Sequence, residues 1–171
     1  MENLDCIEID KDMKEDRKLA ERFLLGYDKE LKDYKRQKEE FLTVPKEVSM
    51  GGRSNLPGKP VEAQAIKSAQ YDSEHAEYGW LRAVEYALRT FGERKRIFIS
   101  VRQEAAVKGN CNDGPGRRGW VVYTQRRYSE EICKRFLNAH GWLGERTVKA
   151  WWAQILDCVV EMHLRLQNKN F

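Results

Sequence analysis

Apolar residues recur along most of this chain at the three- and four-residue spacings of an α-helix, and only two short stretches suit a strand. From about Asp12 to Leu42 hardly a turn-former appears, and Ala20, Leu24, Tyr27, Leu31, Tyr34, Lys38 and Phe41 alternate between spacings of four and three. That is a heptad seam of about three repeats, interrupted by Gly26 and Lys38. It predicts one long helix over 12–42. Periodicity leaves two uses open: pairing two copies as a homodimer through this N-terminal helix, or lying against the chain's own helices. Lys29 with Asp33, Lys35 with Glu39 and Arg36 with Glu40 place the cation first, the weaker order for i, i+4 pairs. The acidic stretch 1–11 reads as a disordered tail.

Residues 43–60 hold three of the four prolines and three glycines, a linker composition. Arg53 within GGRSN reads as part of that exposed connector. Pro60 suits a first helical turn. Val61, Ala65, Ala69, Ala76, Trp80, Val84, Ala87, Leu88 and Phe91 then keep helical spacing with a possible break near Asp72 and Ser73, predicting one or two helices packed on an Ala/Trp face. His75, among acidic neighbours, reads as a surface residue. RKRIFISVRQEAAV, residues 94–107, steps as a helix through Ile97, Val101 and Ala105, although Ile97–Val101 alone suits a strand. The good helix formers after it favour helix.

The loop GNCNDGPGRRG follows. Its GPGRRG fits G-x-G-x-x-G literally, but a dinucleotide site needs a strand before the glycines and a βαβ unit after them, so no cofactor is expected. Arg117 and Arg118 are candidates to grip a DNA phosphate at a helix start, or are simply a solvated basic loop.

The last long pattern runs from Tyr128 to Leu166. Val121, Tyr128, Ile132, Phe136 and Ala139 fall on one helix side with polar Gln125 as the single gap, so the first helix begins near Gly119. Alternatively WVVYT is a strand and Ser129 is the N-cap. His140 and Gly141 end this helix, Gly141 as a left-handed C-cap. The second helix opens at Gly144 or Glu145, with Val148, Trp151, Trp152, Ile155, Val159, Met162 and Leu166 on its inner face. Outside lie Arg146, Ala150, Ala153 and Asp157, flanked by Thr147, Lys149 and Gln154. Small residues permit close approach to a groove, Arg can bind guanine bidentately, and Lys can neutralise a phosphate. The expectation is therefore an all-α chain: tail, long helix, linker, and a helical domain over 61–171 with a helix-turn-helix at 128–166. Double-stranded DNA would be read by Arg146, Thr147, Lys149, Ala150, Ala153 and Gln154, with Arg117 and Arg118 on phosphate.

Charge adds to that picture. The net charge is +4; residues 1–91 carry 16 Lys/Arg against 19 Asp/Glu and residues 92–171 carry 15 against 8. A net −3 half joined to a +7 half points to a polyanionic partner for the second. The four cysteines lie far apart with no CxxC pair and no His at zinc-finger spacing, so they read as reduced thiols and no metal is expected. No apolar run approaches a membrane span, and the acidic N-terminus lacks signal-peptide order, so a soluble, cytoplasmic protein is expected. HExxH, G-x-S-x-G and P-loop motifs are all missing, and enzymatic activity is not expected.

SEEICKRF followed by GERTVKAWWAQI resembles the sigma-factor region-4 type of helix-turn-helix. The wider order of YDKELKDYKRQKEEF, GGRSN, P-x-E and this domain is similar to phage and prophage late-gene transcription regulators of the ArpU and RinA type. The resemblance implies a sequence-specific activator of packaging, structural or lysis genes, acting with RNA polymerase and reading DNA through Arg146, Thr147 and Lys149. A phage terminase small subunit, which also joins a helix-turn-helix to an oligomerising helical segment, is the alternative.

Overall fold

The computed structural model describes residues 3–43, 60–109, 119–136 and 141–168, and no side chain before Met13. Among them are seven helices and no strand: α1 (Asn3–Leu25), α2 (Tyr27–Thr43), α3 (Pro60–Glu74), α4 (Ala76–Thr90), α5 (Glu93–Gly109), α6 (Gly119–Arg135) and α7 (Glu145–Asn168). The all-α expectation holds, and both segments that admitted a strand are helical. No helix among the described residues is long and apolar enough to cross a membrane. The linker core with Arg53, and the loop with Arg117 and Arg118, lie outside the described residues.

The N-terminal third departs from expectation twice. Residues 3–11 belong to a helix rather than a disordered tail: Asn3–Leu25 contains no Gly or Pro to break it. The single helix over 12–42 is two, jointed at Gly26, where an added Cβ would stand 3.3 Å from the Arg22 carbonyl oxygen. The seam faces inward on the chain itself. Ala20, Phe23 and Leu24 are buried where α1 packs on α4 and α7, and Tyr34 is buried where α2 packs on α3 and α4. Pairing two copies through these residues would first require peeling α1 and α2 away. Lys38 explains its own place in the seam: its Nζ lies 2.5 Å from Asp72 Oδ1 and over the Tyr78 ring. Tyr34 donates its hydroxyl to the same carboxylate, and burial together with that acceptor raises the phenol pKa.

α3 is anchored at one end only. The break after it falls at His75, whose extended backbone separates α3 from α4 and whose ring stacks on Tyr71 at 3.8 Å. Tyr71 is buried, whereas Val61, Ala65, Ile66 and Ala69 are exposed, so the expected Ala face of this helix is solvent-facing. Alanine favours helix wherever it stands, and its spacing therefore says little about burial.

The core spreads from α4 to α7. Trp80 is buried and stacks on His163 at 3.8 Å with planes 11° apart, while Phe23 lies parallel to Trp80 at 6.2 Å. This contact needs Gly79, since a Cβ there would sit 3.1 Å from His163 Cε1. α1 runs antiparallel to α7, with Arg17 Nε 2.5 Å from Asp157 and Glu21 accepting from Trp152 Nε1 at 3.1 Å. Because α1 covers this flank, Leu156, Val160 and His163 are buried beside the expected stripe. α5 and α6 run antiparallel, and with α7 they surround Phe98, which is fully buried among Tyr128, Trp151 and Trp152.

Two outcomes follow from this packing. Ile155 is 0% exposed at the centre of α7, so Ile155→Ala should lower unfolding free energy by about 2–5 kcal/mol in urea titration. His163 is 7% exposed, and its Nδ1 has no hydrogen-bond partner among the described residues. Burial lowers its pKa, outweighing the opposing pull of the Gly79 backbone and the Asp16 carboxylate. The unfolded chain therefore binds the proton first. The neutral ring's contribution is complete above pH 6.5, the ordinary histidine value, and is lost as pH falls below it toward the lowered folded-state value. Stability should drop as pH falls below about 6.5, the ordinary histidine value, and His163→Phe should reduce that drop.

Candidate nucleic-acid interface

α6 begins at Gly119, so its inner face carries Val121, Thr124, Tyr128 and Ile132, all buried. Gln125, the polar gap in that stripe, has a task of its own. Its Nε2 donates to the Leu143 carbonyl at 2.7 Å. Gly141 is buried against Ser129 and Ile132, where an added Cβ would meet Ile132 Cβ and Ser129 Cα at 2.9 Å each. The connector thus doubles back along α6, and α7 starts beside the middle of α6 rather than beyond its end.

This corrects the expected turn in three respects. The described helix stops at Arg135 instead of running to Ala139, and His140 lies outside the described residues. Gly141 is not in the left-handed region; it is glycine because nothing larger fits. Residues 141–144 also lie back against α6 instead of leading away from its end.

α7 itself is oriented as its periodicity predicts. Val148 and Ile155 are fully buried and Trp152 nearly so. Arg146, Lys149, Ala150, Ala153, Gln154 and Asp157 are exposed, and Thr147 is half-buried. The cationic character of that face is thinner than composition suggests. Lys149 Nζ pairs with Glu145 at 2.5 Å, and Asp157 pairs with Arg17 of α1. Both pairs are exposed, and such pairs are worth tenths of a kcal/mol, so a phosphate can displace Glu145 from Lys149. Arg146 has no partner among the described residues. Arg17 went unseen in the sequence as part of this surface, because it lies in the acidic half and reaches α7 only through the fold.

α6 carries the rest of the charge. Arg126, Arg127, Lys134 and Arg135 alternate with Glu130 and Glu131, and every one of these cations is ion-paired. Arg127 also faces Glu104 of α5, whose carboxyl is held down to about 2, chiefly by hydrogen bonds from Lys108 and Tyr123. Glu104, Lys108, Tyr123, Arg126, Arg127 and Glu130 line an open pocket of about 440 Å³. Its charges satisfy one another, so it reads as an ion-pair lattice holding α5 to α6.

No protein family, curated protein or solved structure matches this chain. No group of His, Cys, Asp and Glu suited to a metal ion occurs among the described residues.

The connector supplies a direct check on this geometry. Gly141→Ala should force it off α6 and destabilise the protein by about 1–3 kcal/mol, read from thermal unfolding. Unchanged stability would mean that the connector does not rest on Ser129 and Ile132.

Proposed function

We propose that this chain is a sequence-specific DNA-binding protein that presents the outer face of the N-terminal half of α7 to the major groove of double-stranded DNA. The observation that carries the reading is the composition and exposure of that face. Arg146 and Lys149 stand outward beside Ala150 and Ala153, with Gln154 one turn on, while the opposite face is sealed into the core. A groove-reading helix needs a cationic approach, small residues for close contact and side chains able to bond base edges. Arg146 is the base reader by its fork of donors, Lys149 a phosphate contact, and Gln154 a second polar reader. The acidic Asp157, which would repel a phosphate, is neutralised by Arg17.

The regulatory part of the proposal rests on the similarity of the wider order of YDKELKDYKRQKEEF, GGRSN, P-x-E and the C-terminal domain to late-gene regulators of the ArpU and RinA type. On that basis the protein activates phage or prophage late genes together with RNA polymerase, without catalytic activity of its own.

The test is a gel-shift on a duplex selected from a random pool. Arg146→Ala should cost about 1–3 kcal/mol and relax the preference at one base position. Lys149→Ala should weaken binding alike on all sequences and reduce the salt slope by about 1. Both variants binding as wild type would place the DNA surface elsewhere.

A further inference from the structure

The proposed DNA face ends at the N-terminus of α7, and just before it stands a side chain that neither packing nor periodicity explains. Trp142 is 68% exposed, whereas Trp80 and Trp152 are buried and Trp120 and Trp151 are half-buried. Its exposure is built in. Gly141 on one side is pressed against Ser129 and Ile132 with no room for a Cβ, and Leu143 on the other is packed on the core with its carbonyl held by Gln125. With both neighbours tied inward, the residue between them stands in solvent. A large flat apolar ring held in water by a fixed backbone marks a contact surface.

The surroundings decide the kind of partner. On α6, the positions beside Gln125 on the solvent side are Val122, 63% exposed, and Arg126. On α7, the first turn brings exposed Arg146, followed by Lys149. An indole just before the exposed Arg146 of α7 suits a ligand that offers negative charge together with flat or apolar faces. A nucleic-acid strand offers phosphates with sugars and bases between them.

We propose that Trp142 is a DNA-contacting residue that packs its indole against a deoxyribose or a partly unstacked base at the edge of the site where α7 enters the groove. The inference rests on the DNA-binding reading of α7 and adds to it a contact made by shape and stacking. It contributes affinity on any sequence, and most on DNA that is easily kinked.

The full chain and its Trp142→Phe and Trp142→Ala variants are compared on the selected duplex, on an unrelated duplex and on a single strand of the same sequence. Far-UV dichroism and thermal unfolding check the fold, which an exposed side chain leaves unchanged. Trp142→Ala should weaken both duplexes on the order of tenfold, with Trp142→Phe between it and wild type. Tryptophan fluorescence should be quenched when DNA binds wild type, and Trp142→Phe should lose most of that quench, because the other four indoles are more shielded. Full affinity and full quench in both variants would overturn the role of Trp142 while leaving the α7 reading intact. Wild type that binds no DNA would overturn both. Preference for the single strand over both duplexes would overturn the groove-edge placement.

Discussion

Arg102 lies between the rings of Trp120, at 4.4 Å, and Trp152, at 5.1 Å, with its Nη2 donating to Glu21 at 3.2 Å. It is 8% exposed, and burial pulls its pKa down against the restoring pull of Glu21. A guanidinium that deep must keep its partners, because removing one leaves an uncompensated buried charge. Arg102 and its partners sit on four helices. Glu21 comes from α1, Arg102 from α5, Trp120 from α6 and Trp152 from α7, and Glu21 also accepts a hydrogen bond from the Trp152 indole N–H. The same α1–α5 contact is repeated where Gln103 donates to the Leu24 carbonyl. One charge therefore fixes how α7 is rotated and how α1 lies along it.

The exposed face of α7 follows from that constraint. With Trp152 turned inward onto Arg102, and Val148 and Ile155 following it into the core, Arg146, Lys149, Ala150 and Ala153 are left exposed. The same arrangement brings Arg17 to Asp157 and so makes the acidic N-terminal half part of a cationic surface. Gln125 and Gly141 complete the positioning by laying the connector on α6.

Much of the fold was legible in the pattern of apolar residues, and the limits of that legibility are physical. A stripe such as Val148, Trp152, Ile155 and Val159 is strong because large apolar side chains gain by burial, and its helix lies as the spacing predicts. A stripe built from Val61, Ala65 and Ala69 is weak, since alanine gains little from burial and helices favour it regardless, and there the expected inner face is exposed. Gly26 was visible as an interruption of the seam, but spacing alone could not show that the chain is jointed there. Arg102 and Glu21 lie far apart in sequence, and no local rule pairs them. Within the candidate site, the outer residues of α7 could be read from their position opposite the core. The connector could not, because its path depends on the lack of a side chain at Gly141 and on one bond from Gln125. Trp142 was invisible for the same reason: it belongs to no helix and so to no period.

The central claim is that the N-terminal half of α7 and the connector before it form the surface that meets DNA. A backbone NMR titration of the isotope-labelled chain with a selected duplex tests it most directly, because it reads every ordered segment at once. The account predicts that the largest shift changes fall within residues 141–154 and the neighbouring outer side of α6, with α2 and α3 little changed. Changes centred on α2 and α3, or none at a saturating duplex concentration, would contradict it.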